Sequence, residues 1–166
     1  MTTITFKGQP IHTIGHLPAI GTKAPDFSAT SVSLNSVTLT EQQGKKVVLN
    51  IFPSLDTGVC AKSVIEFNRF AATQKDLVVL CLSMDLPFAQ KRFCDQEQIE
   101  NVITLSLFRS PDFGKQYGVT MTDGPLQGLM SRAVVVIDAQ GKVIYTEQVP
   151  EITTEPNYAA VKKVLA

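Results

Sequence analysis

Cys60 is the residue whose type and position give this chain its clearest capacity for chemistry. It ends the run Pro53-Ser54-Leu55-Asp56-Thr57-Gly58-Val59-Cys60, which separates an apolar, strand-like segment from a segment with helical spacing. A thiol in the first turn of that helix would lie beside unpaired backbone N–H groups and the positive end of the helix dipole, which favour thiolate over thiol. The sequence therefore predicts a reactive, nucleophilic cysteine.

Three residues before Cys60 are suited to shaping a small pocket over its sulfur. Thr57 precedes Cys60 by one helical turn, so its hydroxyl could donate to the thiolate and accept from an incoming substrate. A simple helix cap is the alternative interpretation of Thr57. Pro53 removes an N–H group and stiffens the loop, while Gly58 lets the backbone come close to a small ligand.

The other cysteines and the histidines narrow the possible chemistry. The three cysteines form neither a dense disulfide framework nor a C-x-x-C pair. Cys81 lies within a continuous apolar strand and is predicted to be structural and inert. Cys94 lies late in a predicted helix, where packing against the sheet is the alternative to a redox role. His12 and His16 are predicted to be ordinary surface or turn residues, which disfavours a cysteine hydrolase and a zinc site.

The composition of the whole chain excludes several classes of partner. Lys+Arg and Asp+Glu balance at 15 each, so no net field attracts nucleic acid or anionic membranes. The N-terminus lacks the basic and apolar regions of a secretory signal, and the apolar runs elsewhere are too short for a membrane span. We therefore expect one cytoplasmic domain over residues 1–166.

The elements that must position these residues are predicted from hydrophobic periodicity and turn signals. Strands are predicted at 4–6, 11–14, 27–30, 36–39, 47–52, 77–82, 103–108, 133–137 and 143–149. Helices are predicted at about 59–73, from about 85 onward with Asp85 as a cap, and at about 157–165. Strands that alternate with helices and end in a hairpin plus a helix indicate an α/β domain with a mixed sheet, preceded by an N-terminal β-hairpin.

Two motifs resemble a known family. Pro-x-x-x-Thr-x-x-Cys, from Pro53 to Cys60, is similar to the active-site pattern of the peroxiredoxins. The run Ser83-Met84-Asp85-Leu86-Pro87-Phe88-Ala89-Gln90-Lys91-Arg92-Phe93-Cys94 resembles the hallmark of one branch, the bacterial thiol peroxidases of the atypical two-cysteine type. The resemblance covers essentially the whole chain, including the segment from Arg132 to Asp138. It implies a single thioredoxin-like domain without metal, haem or flavin.

The resemblance also implies roles for individual residues. Cys60 would be the peroxidatic cysteine and Cys94 the resolving one, joined in an intrachain disulfide during turnover. Thr57, Pro53 and Arg132 would complete the active site, although spacing alone would make Arg132 a surface cation before a strand. The substrates implied are hydrogen peroxide and alkyl hydroperoxides, the reductant is thioredoxin, the assembly is a homodimer, and the role is antioxidant defence.

The substrate contacts and the enzyme class each have an alternative. Gly58, Val59 and Leu129 are predicted substrate contacts. Leu129, with Leu126 and Met130, would line an apolar approach that favours alkyl hydroperoxides over hydrogen peroxide, although core packing explains these residues equally well. The rival function is a non-catalytic redox sensor or binding module that signals when its cysteine is oxidised. A general disulfide oxidoreductase is a weaker alternative because C-x-x-C is absent.

Overall fold

The computed structural model describes all 166 residues, and most of its elements surround one large sheet. The strands are β1 Thr3–Phe6, β2 Gln9–His12, β3 Ser28–Ser31, β4 Ser36–Thr38, β5 Lys46–Ile51, β6 Leu77–Ser83, β7 Ile103–Ser106, β8 Ala133–Ile137 and β9 Val143–Gln148. The helices are α1 Gly58–Ala71, α2 Pro87–Glu97, α3 Phe113–Gln116 and α4 Tyr158–Leu165, and a single 3₁₀ turn covers Thr40–Gln42. No helix has the length and apolar character needed to cross a membrane.

The central sheet is mixed, as the sequence predicts. Its strand order is β4-β3-β7-β6-β5-β8-β9. The three middle strands β7, β6 and β5 are parallel, because α1 and α2 carry the chain back between them. All the other pairings are antiparallel. The carboxyl ends of β5, β6 and β7 therefore meet at one edge of the sheet, where loops are free to build a site.

Alternating side chains of the central strands pack into two separate hydrophobic cores, one on each face of the sheet. On β5, Leu49 and Ile51 belong to one cluster, which also contains residues of α3 and of the loops around it. Val48 of the same strand belongs to the other cluster, against which α1, α2 and α4 pack. This period of two is the expected consequence of a strand buried on both faces. Because α1 and α2 cover the same face, Cys60 and Cys94 belong to the same side of the sheet.

Helix α1 forms where the sequence places a single apolar stripe. Its buried residues are Cys60, Ser63, Val64, Phe67 and Ala71, which recur at helical spacing and face the sheet. Helix α4 begins with a true side-chain cap, since Asn157 accepts a hydrogen bond from the Ala160 N–H at 3.0 Å. The predicted strands and these two helices agree with the structure to within about two residues at nearly every end, the normal scatter of helix and strand boundaries. Helix α3 lies in a segment for which the sequence predicted no element.

The prediction that Asp85 caps α2 is wrong. Leu86 occupies the N-cap position, and no side chain caps that helix. Pro87 begins the helix instead, where its missing N–H costs nothing. The carboxylate of Asp85 points across to the loop after β5, where better donors than the helix end are available.

The N-terminal hairpin is present and is anchored by one carboxylate. Its two-residue turn, Lys7-Gly8, has positive φ at both positions, as tight hairpin turns require. Glu151 accepts hydrogen bonds from the Lys7 N–H at 2.7 Å, from the Gly8 N–H and from the Thr5 hydroxyl. The backbone adds Thr5 N–H to Pro150 at 2.7 Å and Ile152 N–H to Thr5 at 3.0 Å. The hairpin is thereby fixed to the segment that follows β9.

Glu151 is expected to make stability depend on pH. Hydrogen bonds, first from the Thr5 hydroxyl and then from the Thr153 hydroxyl, lower the pKa of Glu151 to about 2. A pKa below the unfolded value of about 4.3 stabilises the fold above that pH, and the stabilisation is lost as the pH falls toward 2. We expect the stability difference between wild type and Glu151→Gln, measured by urea unfolding at several pH values, to shrink on acidification. A difference that stays constant with pH would contradict this.

Candidate active site

Cys60 lies in the first turn of α1 with its side chain completely buried. Thr57 is the N-cap residue, and the backbone N–H groups of Gly58, Val59 and Cys60 have no hydrogen-bond partner. These orphan donors and the helix dipole create a positive potential around the sulfur. The prediction that Cys60 sits at a helix N-terminus is confirmed, and the local setting favours a negatively charged sulfur.

Arg132 reaches Cys60 because of the register between two strands. Ile51, the last residue of β5, pairs with Ala133, the first residue of the antiparallel strand β8. Arg132 therefore lies at the sheet edge from which the loop to α1 departs. Its Nη2 donates to the Cys60 Sγ at 3.2 Å, although the two residues are 72 positions apart in the chain. The surface-cation alternative for Arg132 is excluded, since only 2% of the residue is exposed.

The buried guanidinium of Arg132 has no carboxylate partner. Its Nε donates to the Ile152 carbonyl at 2.9 Å, and its Nη1 has no acceptor at all. None of the ion pairs in the protein includes Arg132. A buried charge is costly unless an opposite charge is close, and the only group bonded to this one that can become an anion is the Cys60 sulfur. The guanidinium therefore directs one donor at the Cys60 sulfur and leaves another donor free beside it.

The N-terminal hairpin contributes to the placement of Arg132. The Ile152 carbonyl that accepts from its Nε belongs to the segment that Thr5 and Glu151 fix to the hairpin. Ile152 also packs with Ile4 of the hairpin in a small apolar cluster. Because the guanidinium has only two protein acceptors, the carbonyl is one of two points that set its orientation. No pattern in the sequence points to this carbonyl, which only the fold brings to the site.

Thr57 is close in sequence to Cys60, but its hydroxyl does not donate to the sulfur. The Thr57 Oγ1 donates to the Ser54 carbonyl at 3.0 Å, and the side chain makes no cap hydrogen bond. The predicted donation to the thiolate and the simple-cap alternative are therefore both absent. With its proton committed to Ser54, the hydroxyl oxygen is left to act as an acceptor.

The remaining predicted site residues differ in how far they are exposed. Pro53 is buried just after β5, whereas Gly58 is exposed and Val59 half-buried beside Cys60. A methyl group added at Gly58 would meet no atom within 4 Å, so space is open there. Leu129 is half-buried and packs against the small apolar cluster that contains Ile4 and Ile152, as the core-packing alternative expects. Its contact with a substrate remains a prediction.

Cys94 is half-buried on α2 and forms no disulfide. Its sulfur lies 3.5 Å from the hydroxyl oxygen of Thr104 on the neighbouring strand β7. Burial raises the pKa of the Cys94 thiol, and the Thr104 hydroxyl partly opposes this effect. Cys94 also packs against the same apolar cluster as Cys60. The fold thus places both cysteines on one face of the sheet, each within its own helix.

Cys81 is buried on β6, and burial raises the pKa of its thiol to about 12. A thiol of this kind is neither a nucleophile nor accessible at neutral pH. We expect Cys81→Ala to keep peroxide turnover within about twofold of wild type while lowering the free energy of unfolding by about 1–2 kcal/mol through the lost packing. Steady-state peroxide consumption and urea unfolding measure the two effects. A large loss of turnover without a loss of stability would mean that Cys81 takes part in the chemistry.

A buried asparagine on β5, which was not among the predicted site residues, supports the start of α1. Asn50 on β5 donates to the Ser63 hydroxyl at 3.1 Å, and that hydroxyl donates to the Cys60 carbonyl at 2.8 Å. An asparagine within the apolar run of β5 was the available signal, since a buried polar residue needs a partner. This network fixes the backbone of Cys60 from the sheet side.

Comparison with known proteins agrees with this architecture. The Redoxin family model matches residues 19–162. The thiol peroxidase of Mycobacterium tuberculosis (strain ATCC 25618 / H37Rv) is 53% identical over 165 residues, which is 99% of either chain. A peroxiredoxin-like protein from Aquifex aeolicus superposes with a TM-score of 0.94 at 39% identity, covering 99% of this chain and 96% of that one. A thiol peroxidase from Chromobacterium violaceum, at 24% identity and 98% and 94% coverage, has the same fold with a TM-score of 0.90.

The thioredoxin-like fold predicted from the sequence is thereby confirmed, and so is the resemblance to the thiol peroxidases. The match to the mycobacterial relative runs over almost the full length of both chains, so it includes the hairpin, the loop before Cys60 and the segment around Arg132. The chain belongs to the redoxin family and, within it, to the thiol peroxidases, which makes it an oxidoreductase.

Proposed function

We propose that the protein reduces hydrogen peroxide and alkyl hydroperoxides with Cys60 as the peroxidatic cysteine and Cys94 as the resolving cysteine. The observation that carries this proposal is the buried guanidinium of Arg132, which touches the Cys60 sulfur at 3.2 Å and has no carboxylate partner. Such a pair is built to hold a thiolate and to meet a second electronegative atom at the free Nη1.

In the first step the Cys60 thiolate attacks the terminal oxygen of the hydroperoxide. The O–O bond breaks, Cys60 becomes sulfenic acid, and the remaining oxygen leaves as water or an alcohol after taking up a proton. Arg132 Nη1 and the free N–H groups of the first turn of α1 are the donors available to the oxygens as charge moves onto the leaving group. The Thr57 oxygen, whose own proton goes to the Ser54 carbonyl, would accept a hydrogen bond from the peroxide.

The other predicted site residues would shape the approach to the sulfur. Pro53 would stiffen the loop, and the open space at Gly58 and the half-buried Val59 would bound the peroxide. Leu129, which packs against the small apolar cluster that contains Ile4 and Ile152, would add an apolar contact for an alkyl group. Cys60 itself has no exposed surface, so we propose that the peroxide oxygens reach its sulfur between these residues.

In the second step Cys94 resolves the sulfenic acid. Its thiol loses a proton and attacks the Cys60 sulfur, water leaves with the hydroxyl oxygen, and an intrachain disulfide forms. Each cysteine is held within its own helix, Cys60 against Arg132 and Cys94 against Thr104. Bringing the two sulfurs to bonding distance therefore requires local unwinding of at least one helix.

A dithiol must then reopen the disulfide by two exchange reactions, which return both cysteines to thiols and oxidise the dithiol. We propose thioredoxin as this reductant, in a cytoplasmic antioxidant role. A homodimer is the expected assembly. The family relationship supports each of these three statements.

A coupled assay tests the proposal. The protein is mixed with thioredoxin, thioredoxin reductase, NADPH and a hydroperoxide, and the loss of NADPH is followed. A peroxidase consumes NADPH until the peroxide is exhausted, whereas a redox sensor stops after about one equivalent. Replacing thioredoxin and its reductase with glutathione and glutathione reductase tests a monothiol reductant with the same NADPH readout.

The same assay tests the apolar approach. Turnover of cumene hydroperoxide is compared with turnover of hydrogen peroxide at equal enzyme concentration. A higher specificity constant for the alkyl peroxide supports the proposed contact at Leu129, and equal constants would remove it.

A further inference from the structure

The carboxylate of Asp85 links the end of β6 to the loop that leads to Cys60. It follows β6 and accepts three strong hydrogen bonds, all at 2.7 Å. The donors are the Ser54 hydroxyl, the Leu55 N–H and the Ser83 hydroxyl. The first two belong to the loop that leads to Cys60, so this one side chain crosses from the end of β6 to the end of β5.

The loop residues that Asp85 binds are those that hold the start of α1. The Ser54 carbonyl accepts from both the Thr57 N–H, at 3.2 Å, and the Thr57 hydroxyl, at 3.0 Å. Thr57 is the N-cap residue of α1, and its own carbonyl accepts from the Ala61 N–H at 3.0 Å. A continuous set of hydrogen bonds therefore runs from Asp85 through Ser54 and Thr57 to the turn that contains Cys60.

The other side of Asp85 is anchored to the sheet and to α2. Its backbone carbonyl accepts from the Ser106 hydroxyl at the end of β7, at 2.6 Å. The Ser83 hydroxyl, which donates to the Asp85 carboxylate, also accepts a hydrogen bond from Gln90 of α2. Gln90 is fully buried and donates to the Leu105 carbonyl at 3.0 Å. Asp85 is thus a fixed point against which the more exposed loop is held.

We propose that Asp85 is a positioning residue for the peroxide step, and that it holds the loop and the first turn of α1 in the arrangement that places Cys60 against Arg132. That such a peroxide step takes place rests on the function proposed above. Because Asp85 holds the reduced arrangement, removal of its carboxylate slows the reaction with peroxide. The same removal does not slow disulfide formation, because that reaction requires the same turn to unwind.

The test uses Asp85→Ala, with Asp85→Asn as the conservative variant. Asparagine keeps the size of the side chain and one carbonyl acceptor, so it retains part of the network. Glu97→Ala is the matched control, because Glu97 is an exposed carboxylate on α2 without a hydrogen bond or ion pair. The Cys94→Ser background isolates the peroxide step, and proteins with both cysteines report disulfide formation.

We expect the rate constant for peroxide consumption to fall by about 10- to 100-fold in Asp85→Ala, as misplacement of a reacting group does, and to recover partly in Asp85→Asn. The rate of disulfide formation should be unchanged or higher. Glu97→Ala should match wild type. A peroxide rate close to wild type in Asp85→Ala would overturn the proposal, and so would an equal loss in both steps.

Amide hydrogen exchange of the reduced proteins separates this proposal from the proposed function. We expect residues 54–61 to exchange faster in Asp85→Ala while β8 keeps its protection. If wild type consumes no peroxide but the loop still loosens, the proposed function fails and the positional role of Asp85 stands. Unchanged exchange in the loop, or a loss of protection throughout the sheet, would count against Asp85 as a positioning residue.

Discussion

Cys60→Ser is expected to stop peroxide turnover, with a fall of at least about 1,000-fold, because serine removes the nucleophile and with it the whole covalent route. The fold should survive, since serine is slightly smaller than cysteine and fits the same buried position. The coupled NADPH assay measures the loss, and circular dichroism checks the fold. Turnover that persists in this variant would overturn the assignment of Cys60.

Cys94→Ser provides the paired result. This variant should consume about one equivalent of peroxide and then stall, because the sulfenic acid at Cys60 has no partner thiol in the chain that can reach it. Cys81 cannot take over the resolving step, since its burial keeps it protonated. The oxidised form should be trapped by a sulfenic-acid reagent such as dimedone. Full turnover by Cys94→Ser would show that an external thiol resolves Cys60 directly.

Arg132→Met is expected to lower kcat/KM for peroxide by about 100- to 1,000-fold, the usual effect of removing a preorganised donor from a reacting centre. Methionine fills much of the buried volume but cannot donate to Cys60 or to a peroxide oxygen. Arg132→Lys should recover little of the lost kcat/KM, because an ammonium group cannot donate in fixed directions to Cys60 and to the Ile152 carbonyl together, as the planar guanidinium does.

The stability of Arg132→Met separates this effect from unfolding. Removing a buried charge without a carboxylate partner is close to neutral, while the Ile152 carbonyl loses its donor at a cost of about 1–3 kcal/mol. Arg69→Met is the matched control, because Arg69 is an exposed arginine on α1, the same helix as Cys60. Urea unfolding and the peroxide assay are run on both variants. If the control loses as much activity as Arg132→Met, the guanidinium has no special role.

Much of the fold could be predicted from the chain because its signals are local. The β5 and β6 strands are short apolar runs bounded by turn residues, and α1 has one buried stripe at helical spacing. Helix α3 was missed because it has a single turn, too short to show a period. The cap expected at Asp85 failed for a different reason. A helix cap is a local preference worth about 1 kcal/mol, and two donors from the loop after β5, together with the Ser83 hydroxyl, outweigh it.

The features of the candidate site likewise divide into those set by local sequence and those set by tertiary contacts. The sequence by itself determined that Cys60 begins a helix after a strand, because spacing along the chain fixes which residue meets the helix N-terminus. It also determined that Cys81 is buried within a strand. Both are properties of a short segment and its apolar pattern.

Only the tertiary structure decided which groups face the sulfur. The contact of Arg132 with Cys60 depends on the antiparallel register that pairs Ile51 with Ala133, and the bond to the Ile152 carbonyl depends on where the N-terminal hairpin docks. The direction of the Asp85 carboxylate depends on two strand ends meeting at one edge of the sheet. These contacts join segments far apart in the chain, and local preferences carry no information about which distant donors and acceptors will meet.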